Sequence, residues 1–288
     1  MKRIICALWF GLVELSSLSA PTVLASNVFA PQGTDTIRLS LSIIQSNPVT
    51  TISVGERTVQ AIVDTGGGAL MLSKEVLDSV PAVSLGDSVA STDASGREFE
   101  HRRFRVPVAT IGGHTFHDLV AIQAPDTGGP PIPNTIGRQF LSHYFVVVDY
   151  AGAAITLWPP KAKNLAKTKC GRKRIPMERT EEDNQLVVGD FATDFGHIRL
   201  LLDTGATYSE LPETIAAKLR LPTTVRGPGS PQFYQSKMLS VAGQDFGSLE
   251  FVLLPLKLPA DFEGMLGRNF FEHHVVCLDY DRREIRIR

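Results

Sequence analysis

The sequence lacks a surplus of charge of either sign: 29 Lys and Arg stand against 30 Asp and Glu, a formal net charge of −1 at pH 7. That balance provides no basic face for a dedicated nucleic-acid binder. Cysteine is scarce, with three in 288 residues, which excludes a scaffold built from disulfides. Beyond the N-terminal segment no apolar run approaches the roughly 20 residues that a membrane-spanning helix requires. Apolar residues, by contrast, are not in short supply. They make up 43% of the chain, which excludes a largely disordered protein, and the length suits two cores better than one.

Lys2 and Arg3 precede an apolar run from Ile4 to Val13, followed by small residues up to Val23-Leu24-Ala25. A basic start, a hydrophobic middle and small residues at the end have the layout of an export signal. Cleavage is expected after Ala25, since a cut after Ala20 would leave Pro21 first. Glu14, Ser16, Ser17 and Ser19 end the run too early for an anchor. The expectation is export in soluble form, to a periplasm or the outside.

An internal repeat organises the remainder. The segment from Gly137 to Tyr150 aligns without a gap on Gly267 to Tyr280, with seven of 14 positions identical. Upstream, Ile62-Val63-Asp64-Thr65-Gly66 matches Leu201-Leu202-Asp203-Thr204-Gly205. From Asp to the following Gly-Arg is 73 residues in the first half and 64 in the second. The order of the two motifs is the same in both halves, so the fold is duplicated.

The elements read as mostly β. Thr51–Val54 and Val59–Val63 flank the turn at Gly55-Glu56, and His197–Leu202 follows Asp194-Phe195-Gly196 in the same way. Val106–Ile111 and Phe116–Ile122 form another hairpin across Gly112-Gly113. Gly86 to Phe104 reads as two strands around an exposed polar tip, Ser91-Thr92-Asp93-Ala94-Ser95-Gly96. Short helices are expected around Phe140 and Phe270, returning as buried strands at Phe145–Asp149 and Val275–Asp279. The run 161–174 holds seven Lys and Arg and no acid; its place at the repeat boundary makes it a solvated linker in preference to a docking patch. The expected organisation is a leader (1–25), a first lobe (26–160), a basic linker (161–174) and a second lobe (175–288).

An Asp closing an apolar strand before Thr-Gly has its carboxylate fixed by the strand. The Gly allows a tight turn against another segment, and the Thr hydroxyl can cross-link it. A single Asp-Thr-Gly could be an ordinary turn; two at equivalent places in a repeat suggest that Asp64 and Asp203 meet across the lobe interface. Carboxylates about 3 Å apart cannot both ionise and must share a proton. One then serves as base toward a water and the other as acid toward a carbonyl oxygen.

These residues resemble the aspartic proteases of the pepsin–retropepsin superfamily over about residues 36 to 288. Asp64-Thr65-Gly66 and Asp203-Thr204-Gly205-Ala206 match the family's first signature. Asn134-Thr135-Ile136-Gly137-Arg138 and Met265-Leu266-Gly267-Arg268-Asn269 match its second, in the Gly-Arg form of retroviral enzymes. The resemblance implies an all-β, two-lobed fold with pseudo-two-fold symmetry and a short helix in each lobe. It implies an aspartic endopeptidase with Asp64 and Asp203 catalytic, Thr65, Gly66, Thr204 and Gly205 supporting the turns, and a polypeptide substrate. A flap over the substrate is expected at Ser91 to Gly96, with a second at Arg226 to Gln232. No cofactor or metal is implied, and with both lobes in one chain a monomer suffices.

The chain departs from the family's pattern at several places. Gly67 stands where Ala or Ser is expected, and Thr135 where an apolar residue is. Gly68 and Thr207 replace the Asp that pairs with the Gly-Arg arginine in retroviral enzymes, which leaves the partners of Arg138 and Arg268 open. No Tyr stands in the first flap. With no hydroxyl at 67 or 206, the activity optimum is expected to be less acid than a pepsin's.

His114 and His117 have the spacing of metal ligands without an accompanying cluster, and read as turn and strand residues. His143 and His273 occupy equivalent repeat positions and read as packing or surface residues. Cys170 and Cys277 remain after loss of Cys6 with the leader; a bridge, and a plain apolar role for Cys277 opposite Val147 in the alignment, both stay open. Two rival functions do as well. Apolar-Asp-Thr-Gly-Gly-Gly is similar to the phosphate loops of actin-like ATPases, and an inactive two-lobed peptide-binding protein would keep the fold without the reaction.

Overall fold

The computed structural model describes residues 35–125, 134–178, 180 and 186–288. The expected leader, 1–25, lies outside them. Among the described residues the strands form three sheets, of eight, nine and six strands. The eight-stranded sheet belongs to the first half of the chain and the nine-stranded sheet to the second. The fold is all-β and two-lobed.

Each lobe repeats one local arrangement. The strand before Asp64, Arg57–Val63, pairs in parallel with Thr135–Ile136. The strand before Asp203, Gly196–Leu202, pairs in parallel with Gly264–Leu266. A third short strand, Leu70–Leu72 or Glu210–Pro212, runs antiparallel beside that partner. The chain then enters the short helix Arg138–Leu141 or Arg268–Phe271, as expected from the two phenylalanines. The glycines before these helices are dictated by space: a Cβ on Gly137 would lie 2.6 Å from the Gly67 carbonyl oxygen, and one on Gly267 would lie 2.8 Å from that of Ala206. Their absence lets the Arg138 and Arg268 N–H groups bond those carbonyls at 2.8 and 3.0 Å.

The six-stranded sheet joins the halves. Its central pair, Phe145–Asp149 and Val276–Asp279, is antiparallel. Val147 faces Cys277 across that pair. The sequence repeat superposes the same two residues, so the pseudo-two-fold axis passes between them.

Cys170 and Cys277 are bridged across a sequence separation of 107. Cys277 is also fully buried beside Phe145 and Val147, so the two roles left open by the sequence coexist. The basic run 161–174 is not simply solvated. Lys163 reaches Asp279 at 3.4 Å and Asp281 at 3.1 Å, Lys173 donates to the Gly243 carbonyl, and Cys170 carries the bridge. Acidic residues on the returning strand and its turn draw the segment down onto the second lobe. Among the described residues no helix is long and apolar enough to cross a membrane.

Candidate active site

Asp64 and Asp203 stand where their strands stop, and both are buried. Each main-chain N–H bonds the strand beside it: Asp64 to the Ile136 carbonyl and Asp203 to that of Leu266, both at 3.0 Å. Each carboxylate is then held by its own turn. Asp64 Oδ1 accepts from the N–H groups of Gly66 at 2.9 Å and Gly67 at 2.8 Å. Asp203 Oδ1 accepts from Gly205 at 2.7 Å and Ala206 at 3.2 Å. A Cβ on Gly66 would fall 2.6 Å from Asp203 Oδ1, and one on Gly205 would fall 2.7 Å from Asp64 Oδ1. Only glycine lets each turn come this close to the other lobe's carboxyl.

The threonines lock the two turns together. Thr65 Oγ1 donates to the Leu202 carbonyl at 2.7 Å and accepts from the Thr204 N–H at 3.0 Å. Thr204 Oγ1 donates to the Val63 carbonyl at 2.6 Å and accepts from the Thr65 N–H at 3.0 Å. Tyr150 adds a further tie across the lobes, its hydroxyl donating to the Thr204 carbonyl at 3.2 Å. Thr65→Val or Thr204→Val keeps the shape but strands a buried N–H and a buried C=O. Each substitution is expected to cost about 2–4 kcal/mol, seen as a lower denaturant midpoint.

Burial is the main influence raising both carboxyls above the ordinary range. Asp203 is raised the more, because the facing Asp64 adds like-charge repulsion and Glu210 adds a further negative neighbour. Asp64 is drawn back down by hydrogen bonding to Asp203, by the turn N–H groups and by the Arg138 charge. The pair shares one proton, and its titration belongs to both residues. Such a pair can take a proton from water with one carboxyl and give one to an oxygen with the other.

The arginines of the repeated Gly-Arg meet different partners. Arg138 is fully buried and donates to the Gly66 carbonyl. Arg268 is partly exposed and binds Glu272, four residues on along its own helix, with Nε at 2.6 Å. The departure at Gly67 has a steric counterpart, since a Cβ there would lie 2.6 Å from Asp64 Oδ2.

The first expected flap lies in the hairpin of Val83–Thr92 and Glu98–Ile111. Asp93 closes its tip, Oδ1 accepting from the Ser95 N–H at 2.9 Å, the Ser95 hydroxyl at 2.6 Å and the Arg97 N–H at 2.9 Å. The expectation of an exposed tip is corrected at its centre. Ala94 is 2% exposed and packs with Leu256 and Phe262 of the second lobe, and its carbonyl accepts from the Lys257 N–H at 2.8 Å. The one apolar side chain in Ser91–Arg97 makes that contact, with Gly96 close against Lys257. Thr92 is half-buried and Ser95 exposed. Ser91 is buried at the hairpin's base, 2.6 Å from His101 Nε2. His101 Nδ1 lies 2.9 Å from the Gln123 carbonyl. A carbonyl can only accept, so Nδ1 carries the proton and Nε2 accepts from Ser91; burial keeps this imidazole neutral by lowering its pKa. The second expected flap, Arg226 to Gln232, spans the turn between Thr224–Val225 and Gln232–Ser236. There Arg226 lies 4.2 Å over the Phe233 ring and pairs with Glu250.

Glu210 is a residue that sequence reasoning passed over. It is 3% exposed, and burial pushes its carboxyl up to about 8. Unfolding returns that group to about 4.5, so between those values the folded state holds a proton the unfolded state has lost. Stability therefore falls as pH rises through this window. Glu210→Gln is expected to flatten the fall, seen by comparing denaturant midpoints of the two proteins at pH 5 and pH 8.

His114 and His117 lie along the strand His114–Gln123. Among the described residues no group of three His, Cys, Asp or Glu side chains is placed to hold a metal.

The family model described as aspartyl protease matches residues 50–140. Among solved structures, the aspartic proteinase from Irpex lacteus is similar at a TM-score of 0.64 and 12% identity, covering 88% of this chain and 97% of that one. No curated protein sequence matches. The two findings bear out the resemblance to the pepsin–retropepsin aspartic proteases, and the structural likeness extends it as a fold over both lobes.

Proposed function

We propose that the protein is an aspartic endopeptidase, with Asp64 and Asp203 activating a water between them. The observation that carries this reading is the meeting of two buried carboxyls, one from each lobe, each against the other lobe's glycine turn and with the two turns cross-linked by threonine. A peptide lies extended in the cleft beneath the flap, bonded through its backbone like an added strand. Asp64, the more readily ionised, takes the water proton as oxygen attacks the scissile carbonyl, and Asp203 protonates the carbonyl oxygen. Collapse of the tetrahedral species passes a proton to the departing amine. Thr65 and Thr204 keep the carboxyls in register, while Gly66 and Gly205 give them room.

Nothing in this arrangement favours a peptide binder that has lost the reaction, since Gly67 leaves Asp64 with both of its turn N–H bonds. The inner carboxyl oxygens receive backbone N–H groups and no side-chain hydroxyl at 67 or 206, in keeping with an optimum less acid than a pepsin's. One chain supplies both aspartates, so the working form is a monomer. Export after removal of residues 1–25 completes the reading, and the Cys170–Cys277 bridge supports it because disulfides persist in oxidising compartments. Incubating the mature protein with an unfolded protein mixture from mild acid to neutral pH should yield new internal termini. A mixture left uncut throughout that range would overturn the proposal. Sequencing the exported protein should give Ser26 first; an intact Met1 would rule out the processing.

A further inference from the structure

The two walls of the cleft differ at one pair of equivalent positions. Met71 lies seven residues after Asp64 and Glu210 seven residues after Asp203. Met71 pairs with Thr135 and Ile122, and Glu210 pairs with Met265 and Val252. The register fixes which way the glutamate faces. Leu201 shares a sheet face with Asp203, two residues on. Leu201 is in register with Met265, which is in register with Glu210. Glu210 therefore stands on the face that carries Asp203. Leu201, Val252 and Met265 on that face form the apolar cluster on which Ala94 of the flap rests. Met71, at the mirror position, belongs to an apolar cluster with Ile122 and the flap-strand residue Val89.

A carboxyl in such a place is costly unless something uses it. Glu210 Oε2 is buried without a hydrogen-bond partner among the described residues. The neighbouring acid, Glu250, is already taken up by Arg226 and Tyr208. The nearby Asp203 repels a negative charge and so does not relieve Glu210. The described residues supply no cation to pair with it. We propose that Glu210 selects a basic side chain, Lys or Arg, at the subsite of the peptide that lies against the second lobe beneath the flap. The aliphatic stem would cover Val252 and Met265 while its charged end pairs with the carboxylate. The mirror subsite at Met71 takes an apolar side chain. The inference rests on the peptidase reading for the identity of the ligand as a peptide.

The test uses octapeptides that differ at one position only, which carries Lys, Arg, norleucine, Gln or Glu. Cleavage rates are measured with wild type, Glu210→Gln and Glu210→Met, the last copying the first lobe. Binding of the same peptides is measured with the Asp64→Asn protein, with and without Glu210→Met. At one fixed position wild type should prefer Lys or Arg over norleucine by about 10-fold or more in kcat/KM. Glu210→Met should reverse that order while still cutting the norleucine peptide, which shows that it folds. Equal use of Gln and Lys, no basic preference at any position, or a preference that survives Glu210→Met would overturn the assignment. Binding without cleavage, still favouring Lys through Glu210, would refute the peptidase reading and leave this one standing.

Discussion

Asp64→Asn and Asp203→Asn are each expected to reduce peptide hydrolysis by about 10²–10⁴-fold or more, to the background of the assay. Asn keeps the shape of the side chain and accepts the turn N–H bonds through its carbonyl oxygen. What it loses is the capacity to exchange a proton. With Asn at 64 no carboxylate faces the water on the side where Arg138 favours ionisation. With Asn at 203 no second carboxyl remains to give a proton to the substrate oxygen while Asp64 takes one from the water. The double variant should be no slower than either single one, because the two groups act as a unit. Stability should move the other way. Burial raises both carboxyls above the ordinary range, so the folded state resists their ionisation at neutral pH; replacing one member lifts part of that penalty, and either variant should resist denaturant there at least as well as wild type. A variant that lost both activity and stability would indicate misfolding, and circular dichroism separates the cases.

Opening the Cys170–Cys277 bridge costs about 4–5 kcal/mol, from the entropy returned to an unfolded chain whose closed loop spans 107 residues. For a protein of this size that corresponds to a melting point lower by roughly 10 °C. The site makes the cost specific. Cys277 lies in the central strand pair with Phe145 and Val147 around it, and the bridge fastens the connecting segment beneath them. The Cys170→Ala, Cys277→Ala double variant avoids burying new hydroxyls and isolates the loss of the crosslink. Its denaturant midpoint should match that of wild type treated with dithiothreitol. Midpoints unchanged by the reductant would mean that the bridge contributes nothing.

Much of this arrangement was legible because it is repeated locally. The two Asp-Thr-Gly turns, the Gly-Arg helix starts and the returning strands each depend on a few adjacent residues, and the second copy confirms the first. Differences between the copies were harder to see. Arg138 and Arg268 open identical motifs, but Glu272 stands one helical turn beyond Arg268 whereas Ser142 stands beyond Arg138. Lacking an acid there, Arg138 turns inward to the Gly66 carbonyl. That contrast was present in the sequence as an (i, i+4) pattern. Glu210 was visible as the odd residue against Met71, but its burial depends on strand pairings with Val252 and Met265, far along the chain. Ser91 and His101 had no local signal. Their meeting depends on the flap register, where Ser91 lies opposite Phe99 and Val89 opposite His101, after an irregularity between Ser84 and Ser88.

The axis between Val147 and Cys277 also bears on how a peptide is oriented. In a dimer of identical lobes, turning a bound peptide end for end about such an axis yields the same complex. Here a single polypeptide carries both lobes, and each position can change without its mirror image. Methionine on one side and glutamate on the other make the two orientations inequivalent. On the peptidase reading the cleft thereby tells the amino end of a bound peptide from the carboxyl end, and a sequence and its reversal become different ligands.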